Sequence, residues 1–179
     1  MKRKIVFLSS FLLFCMTLSV RADSFSYHDR NRTKTLALDT GIGFTLSPDT
    51  FLMNFRSDYF MTHHIAVGPL VQFGISDNVF LIAPSIGVKG VFDLPEEGFA
   101  KRVKPFLQGG AGLAYVNVDR NTGDDDDMGF LMNFGFGTDI YLTSSFSLGN
   151  NIMFNILPVK VFDDRFFFSW QFVTARYHF

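Results

Sequence analysis

Cysteine is almost missing from this chain. Of 179 residues only Cys15 carries a thiol, and it lies in an apolar run near the start. That run, Ile5 to Val20, follows Lys2, Arg3 and Lys4 and ends at Val20-Arg21-Ala22, so residues 1–22 read as a cleavable secretory signal peptide. A retained anchor is the alternative, but the run falls short of the roughly 20 apolar residues that cross a bilayer as a helix. Phe14 stands where a lipoprotein signal wants a small residue, so Cys15 reads as ordinary leader. With the leader gone, disulfides and thiolate chemistry are excluded.

Charge of one sign is scarce as well. The formal net charge is −1, and loss of Lys2, Arg3, Lys4 and Arg21 with the leader leaves 12 basic against 17 acidic residues, or −5. That mild acidity argues against a nucleic-acid partner. Long helical hydrophobic periodicity is the third absence. What the chain has instead is phenylalanine, 24 of it. The length allows one domain. A soluble domain would have to bury these rings, whereas a membrane barrel places every second residue in lipid.

Residues 23–33, DSFSYHDRNRT, are polar and aperiodic and read as a short lead-in. From there the period is two. Eight alternating stretches follow, at 35–46, 51–62, 65–76, 79–93, 104–120, 128–143, 146–157 and 165–179, separated by turn residues such as Ser47-Pro48-Asp49-Thr50 and Asp77-Asn78. In the second, Phe51, Met53, Phe55, Tyr59 and Met61 share one face, and Leu52, Asn54, Arg56, Asp58 and Phe60 share the other. The stretch 104–120 is rich in glycine and alanine, which leaves its register the least defined. Residues 94–103 make a longer connection, and 121–127 and 158–164 read as loops. Such stretches exceed the roughly 9–11 residues a transmembrane strand needs. Eight is even, as bacterial single-chain barrels require. The expected fold is therefore an all-β, eight-stranded, antiparallel up-and-down transmembrane barrel over 34–179. A soluble barrel with an apolar interior is the competing architecture, and the leader and the one-faced aromatics weigh against it.

The last ten residues, WQFVTARYHF, put Val173, Ala175, Tyr177 and Phe179 on one face, and the chain stops on that Phe. This resembles the closing strand of an outer-membrane barrel and the signal read by the outer-membrane assembly machinery. Two segments echo each other: Asp58 to Gly68, DYFMTHHIAVG, and Asp139 to Gly149, DIYLTSSFSLG, are both strand–tight turn–strand units. With Pro105 to Gly112, PFLQGGAG, they are similar to the small barrels of the OmpW, OmpX and OmpA-transmembrane-domain type, and most similar to the OmpW kind. The resemblance implies an outer-membrane location with both termini periplasmic, contact with lipopolysaccharide or its equivalent, and no cofactor; with it we expect a monomer.

A terminal Phe at the periplasmic rim also sets strand direction. Asp39 then lies early on an outward strand, and Arg56, Asp58, Lys89, Asp139 and Arg176 lie late on inward strands. All six belong to the periplasmic half of the interior, three acids against three bases. Charges in a narrow lumen of low dielectric need partners, and a barrel of eight strands is wide enough only for its own side chains. The expectation is a salt-bridge plug, or else a gated path for protons or small ions. Leu52, Leu81 and Leu131, with Leu157 and Phe168, are placed facing inward near the outer rim. They form either a dry packing layer or a small apolar pocket. The resemblance implies passage of small hydrophobic molecules for such a pocket.

No metal site is expected. Asp124 to Asp127 lacks the ligand alternation of a calcium loop, and His63 and His64, as neighbours, point apart. Catalysis is not expected either. A lipid A deacylase of this architecture needs a His-x-Ser pair to make a nucleophile, and the chain has none. The acyltransferase kind also carries an amphipathic N-terminal helix, which 23–33 does not supply. Surface interaction through the outer rim is the remaining alternative, since binding residues concentrate in loops.

Overall fold

In the computed structural model, residues 33–94, 98–120, 123–161 and 164–179 are described. The leader at 1–22, and all of the lead-in except Thr33, lie outside them. Eight strands follow in chain order: β1 (Leu36–Leu46), β2 (Thr50–Phe60), β3 (Ile65–Ile75), β4 (Val79–Val91), β5 (Val103–Arg120), β6 (Gly123–Tyr141), β7 (Phe146–Val161) and β8 (Asp164–His178). A short 3-10 turn, Gly98–Arg102, links β4 to β5. Each strand pairs antiparallel with its chain neighbours, and β8 pairs with β1 to close the barrel. Closure leaves each strand paired on both sides across the middle of the wall, which is what backbone polar groups require in lipid.

Strand formation follows from the alternation. Outward positions are almost wholly apolar: Leu38, Phe55, Ile86, Phe134, Trp170 and Tyr177 are all exposed. Their inward neighbours are small or polar and buried, so the wall presents hydrocarbon to its surroundings on every strand. Gly137 faces inward, where a Cβ would come within 2.5 Å of the Phe106 ring. Glycine at that position makes room for the ring inside the barrel.

Three expectations about the strands need correction. Residues 123–127 are not a loop, because β6 already begins at Gly123, which pairs with Arg120; residues 121 and 122 lie outside the described residues. Residues 158–161 and 164 are likewise strand, since β7 continues to Val161 and β8 starts at Asp164, while 162 and 163 lie outside the described residues. Alternation of hydrophobicity fades there, but the hairpins carry on beyond the apolar band. The third correction is Phe168. Counting by twos from Arg176 places it inside, yet it lies half-buried on the outer face, against Phe154 at 5.6 Å between ring centroids. The cause is a β-bulge. Ile42 pairs with Val173 but Gly43 pairs with Gln171, so one extra residue sits in β8. Phe172 and Val173 are both exposed in succession. Above the bulge the inward parity changes from even to odd, and Phe167 takes the inward place that Phe168 was assigned.

A layered lumen as the candidate functional site

The interior is ordered in tiers that can be read along single strands. From the end bearing the β1–β2 turn, β2 turns inward Leu52, Asn54, Arg56, Asp58 and Phe60. On β6 the order is Leu131, Asn133, Gly135, Gly137, Asp139 and Tyr141, and on β8 it is Phe167, Ser169, Gln171, Thr174, Arg176 and His178. Each passes from apolar, through amide or hydroxyl, to charge, and then to an aromatic or imidazole ring.

All six sequence-predicted charges fall in one tier, and none is more than 9% exposed. The strand register brings Asp39 opposite Arg56 on one side and Arg176 on the other. Arg176 hydrogen-bonds Asp39 and Asp139 through its two terminal nitrogens and lies 4.0 Å from Asp58. Lys89 donates to Asp139 at 3.2 Å. Arg56 donates from Nε to Asp58 at 2.6 Å and from Nη1 to the Gln108 side-chain carbonyl at 2.7 Å. The tier is thus one connected network with formal neutrality. Phe106 lies beneath it, with the Lys89 ammonium 3.4 Å from its ring centroid and the Arg176 guanidinium carbon at 5.8 Å. A ring face stabilises desolvated cations in this way.

Several partners were not foreseen. Gln108 and Phe106 lie on the glycine-rich β5, whose register the sequence leaves open and the ladder fixes through Lys89–Gln108 and Val91–Phe106. Lys104 is a seventh buried charge on the same strand, bonded to Asp93 at 2.5 Å. His63 and His64 do not point apart. They sit in a bend rather than a strand, with ring centroids 4.9 Å apart, and both approach Asp93, at 3.3 and 3.8 Å. Among the described residues no group of three or more His, Cys, Asp or Glu could hold a metal ion. His178 meets the Tyr141 hydroxyl at 2.8 Å, and its ring lies 5.5 Å from Phe60.

The middle tier is made of amides. Gln72, Asn155 and Ser169 close a ring of hydrogen bonds at 3.0, 3.2 and 3.1 Å. Gln108, Asn151 and Gln171 form a second chain at 2.9 and 2.7 Å, and it joins the charges through Arg56. Above lies the apolar tier. Leu81, Leu131 and Leu157 pack with Ala83, Ala114, Val116 and Phe167 in one buried cluster, and Leu52 is fully buried as well. The four leucines face inward as the sequence predicts. Leu81, Leu131 and Leu157 pack within one cluster, and Leu52 is shut off from solvent.

Val173, Tyr177 and Phe179 are exposed on the outer face, and Ala175 is half-buried beside them. The Phe179 amide donates to the Leu36 carbonyl at 2.9 Å, carrying the seam to the last residue.

No described protein family matches the chain, and no curated protein matches it. Solved structures do. The fold is similar to the N-terminal β-barrel domain of OprF from Pseudomonas aeruginosa, with a TM-score of 0.63 and 14% identity over 82% of this chain and 98% of that one. Neisserial surface protein A is similar at 0.60 and 14% identity, covering 81% and 96%. Ail, the attachment invasion locus protein of Yersinia pestis, is similar at 0.55 and 15%, covering 82% and 99%. The fold is that of the small eight-stranded outer-membrane barrels.

Proposed function

We propose that this chain is an integral outer-membrane barrel that spans the bilayer as a sealed scaffold, with the β1 start and β8 end on the periplasmic side. The observation that carries the reading is the stack of tiers. Charges, amides and leucines each fill the cross-section with buried side chains, bonded to one another in the first two tiers and packed in the third, and an eight-stranded lumen has room for little else. The charged tier acts as a plug in which each of the six side chains meets an opposite charge, although Asp39 Oδ1, Arg56 Nη2, Asp139 Oδ1 and Arg176 Nε are left without a hydrogen-bond partner among the described residues. The outward hydrocarbon band supports a lipid environment, with the closing face of Val173, Ala175, Tyr177 and Phe179 as the contact for the assembly machinery. The barrel works as a monomer among lipopolysaccharide or equivalent lipids and carries no catalytic centre.

Purified barrel in planar bilayers is expected to give no steady conductance at neutral pH. A stable ohmic step would overturn the sealed reading. An epitope placed at Asp77-Asn78 is expected to be reached by antibody on intact cells, and one at His63-His64 only after the outer membrane is breached.

A second reading has its own support. The leucine tier over a polar floor is the arrangement of an OmpW-like barrel that admits a small hydrophobic solute. In that case Leu131→Asn lowers uptake of an apolar solute while the barrel still folds. Unchanged uptake removes this reading and leaves the scaffold.

A further inference from the structure

The wall has an open strand edge on one side of one hairpin. The β6–β7 ladder ends at Met132 and Ile156, whereas the β5–β6 ladder continues to Arg120 and Gly123. Among the described residues, 123–131 of β6 are therefore paired to β5 and not to β7. On the other side of the same hairpin β5 is covered by β4 as far as Val118.

The direction of the backbone groups along this edge follows from parity. Leu142 donates its N–H to the Phe146 carbonyl at 3.0 Å, and the Thr138 carbonyl lies against Gly149 of β7. The β6 registers run without a shift from one end to the other. Even-numbered residues of β6 thus aim N–H and C=O at the β7 side, and at 128 and 130 no described residue pairs with them on that side. Met128 bears this out, because its N–H takes the side-chain carboxylate of its own neighbour Asp127 at 2.8 Å. A side chain is occupying the place of a missing strand.

The side chains along the edge combine apolar exposure with charge of one sign. Natural edges are blunted with charge, proline or bulges, and like charges keep out only partners of the same sign. Here Met128 is 65% and Phe130 48% exposed, and the charges are acidic: Asp126 is exposed, Asp127 half-buried, and Asp124 and Asp125 precede them in the chain. A second copy of the barrel pairing through the same edge would set these acids against each other, which opposes pairing.

We infer that β6 from Asp126 to Phe130 is a strand-addition site for an extended, basic segment of another protein. Main-chain hydrogen bonds to Phe130 and to the Met128 carbonyl would give the attachment, apolar side chains would cover Met128 and Phe130, and lysine or arginine would take up Asp126 and release Asp127 from the Met128 amide. The inference needs only a folded barrel, so conductance tests of the sealed lumen neither support nor weaken it.

The test uses full-length mature barrel in nanodiscs and three synthetic nonapeptides: one alternating Lys and Val, its Glu-for-Lys counterpart, and the Lys/Val peptide with every amide N-methylated. The Lys/Val peptide is expected to bind, less tightly as salt rises, and to slow exchange of the Phe130 amide. The Glu peptide is expected not to bind. The N-methylated peptide is expected to bind at least about tenfold more weakly, a difference of about 1.4 kcal/mol. The Asp126→Asn/Asp127→Asn variant, which leaves the ladder intact, is expected to lose most of the affinity. Equal binding of the methylated and unmethylated peptides reduces the edge to a charged patch and overturns the inference. So does failure of the Lys/Val peptide to bind, or its binding with no change in Phe130 exchange.

Discussion

The two halves of the barrel interior meet one geometric constraint with opposite materials. Near the β1–β2 turn, Leu52, Leu81, Leu131 and Phe167 fill the cross-section by contact alone. Near the closing residues, Arg176, Asp139, Asp39, Lys89, Arg56 and Asp58 fill it by bonding. Contact is forgiving, because a side chain of similar volume repacks at modest loss. Bonding among buried charges is not, because removal of one partner strands the other in low dielectric. The charged half therefore specifies strand register more sharply, and the leucine half excludes water with less demand on geometry.

Reversal of Asp139 to Lys is the harshest way to break this contrast. Asp139 receives both Lys89 and Arg176, so the variant replaces two attractions with two repulsions at a site 1% exposed. The expected loss exceeds the roughly 3–5 kcal/mol that follows removal of one partner from a buried pair. No folded band should appear when refolded protein is examined by gel mobility with and without heating. Wild-type heat stability in this variant would remove the plug from the account.

Arg176→Met asks for less. It keeps the volume but strands Asp39 and Asp139, and a loss of roughly 3–5 kcal/mol is expected in urea titration of the micelle-bound barrel. The matching change in the other half is Leu131→Ala. It removes buried methyl groups from the apolar cluster, for about 2–4 kcal/mol. The sharper readout is a second round. Leu131→Met should cost less than about 1.5 kcal/mol, whereas no single substitution at Arg176 should come as close to the wild type. If Arg176→Lys matches Leu131→Met, the two halves do not differ in the way argued.

Much of this organisation was legible before any coordinates. The period of two, with rings on one face, marks eight strands. Along β2 and β6 the order from Leu52 to Phe60 and from Leu131 to Tyr141 already spells the tiers in sequence. What escaped has physical causes. Phe168 was misplaced because a bulge at Phe172 and Val173 shifts parity, and no residue type there announces it. Phe106, Gln108 and Lys104 were missed because glycines on β5 satisfy either face, so only the β4–β5 and β5–β6 ladders fix its register. His63 and His64 converge on Asp93 because a bend does not obey strand alternation.

The smallest expected effect tests where the charged half ends. Tyr141 is buried, and its hydroxyl meets His178 Nε2 at 2.8 Å. His178 in turn packs on Phe60 and faces Tyr141 at 5.4 Å between rings. Ring packing and a hydrogen bond both act on this last tier. Tyr141→Phe keeps the ring and removes the hydrogen bond, so a loss of about 1 kcal/mol is expected, within the usual net worth of such a bond. Tyr141→Leu removes both and should cost more. If Tyr141→Phe instead approaches the loss seen for Arg176→Met, the tyrosine hydroxyl is part of the charge network and the bonded half of the lumen extends to the rim. If it lies near zero, the rim is held by its rings, and the demanding geometry is confined to the single layer around Arg176.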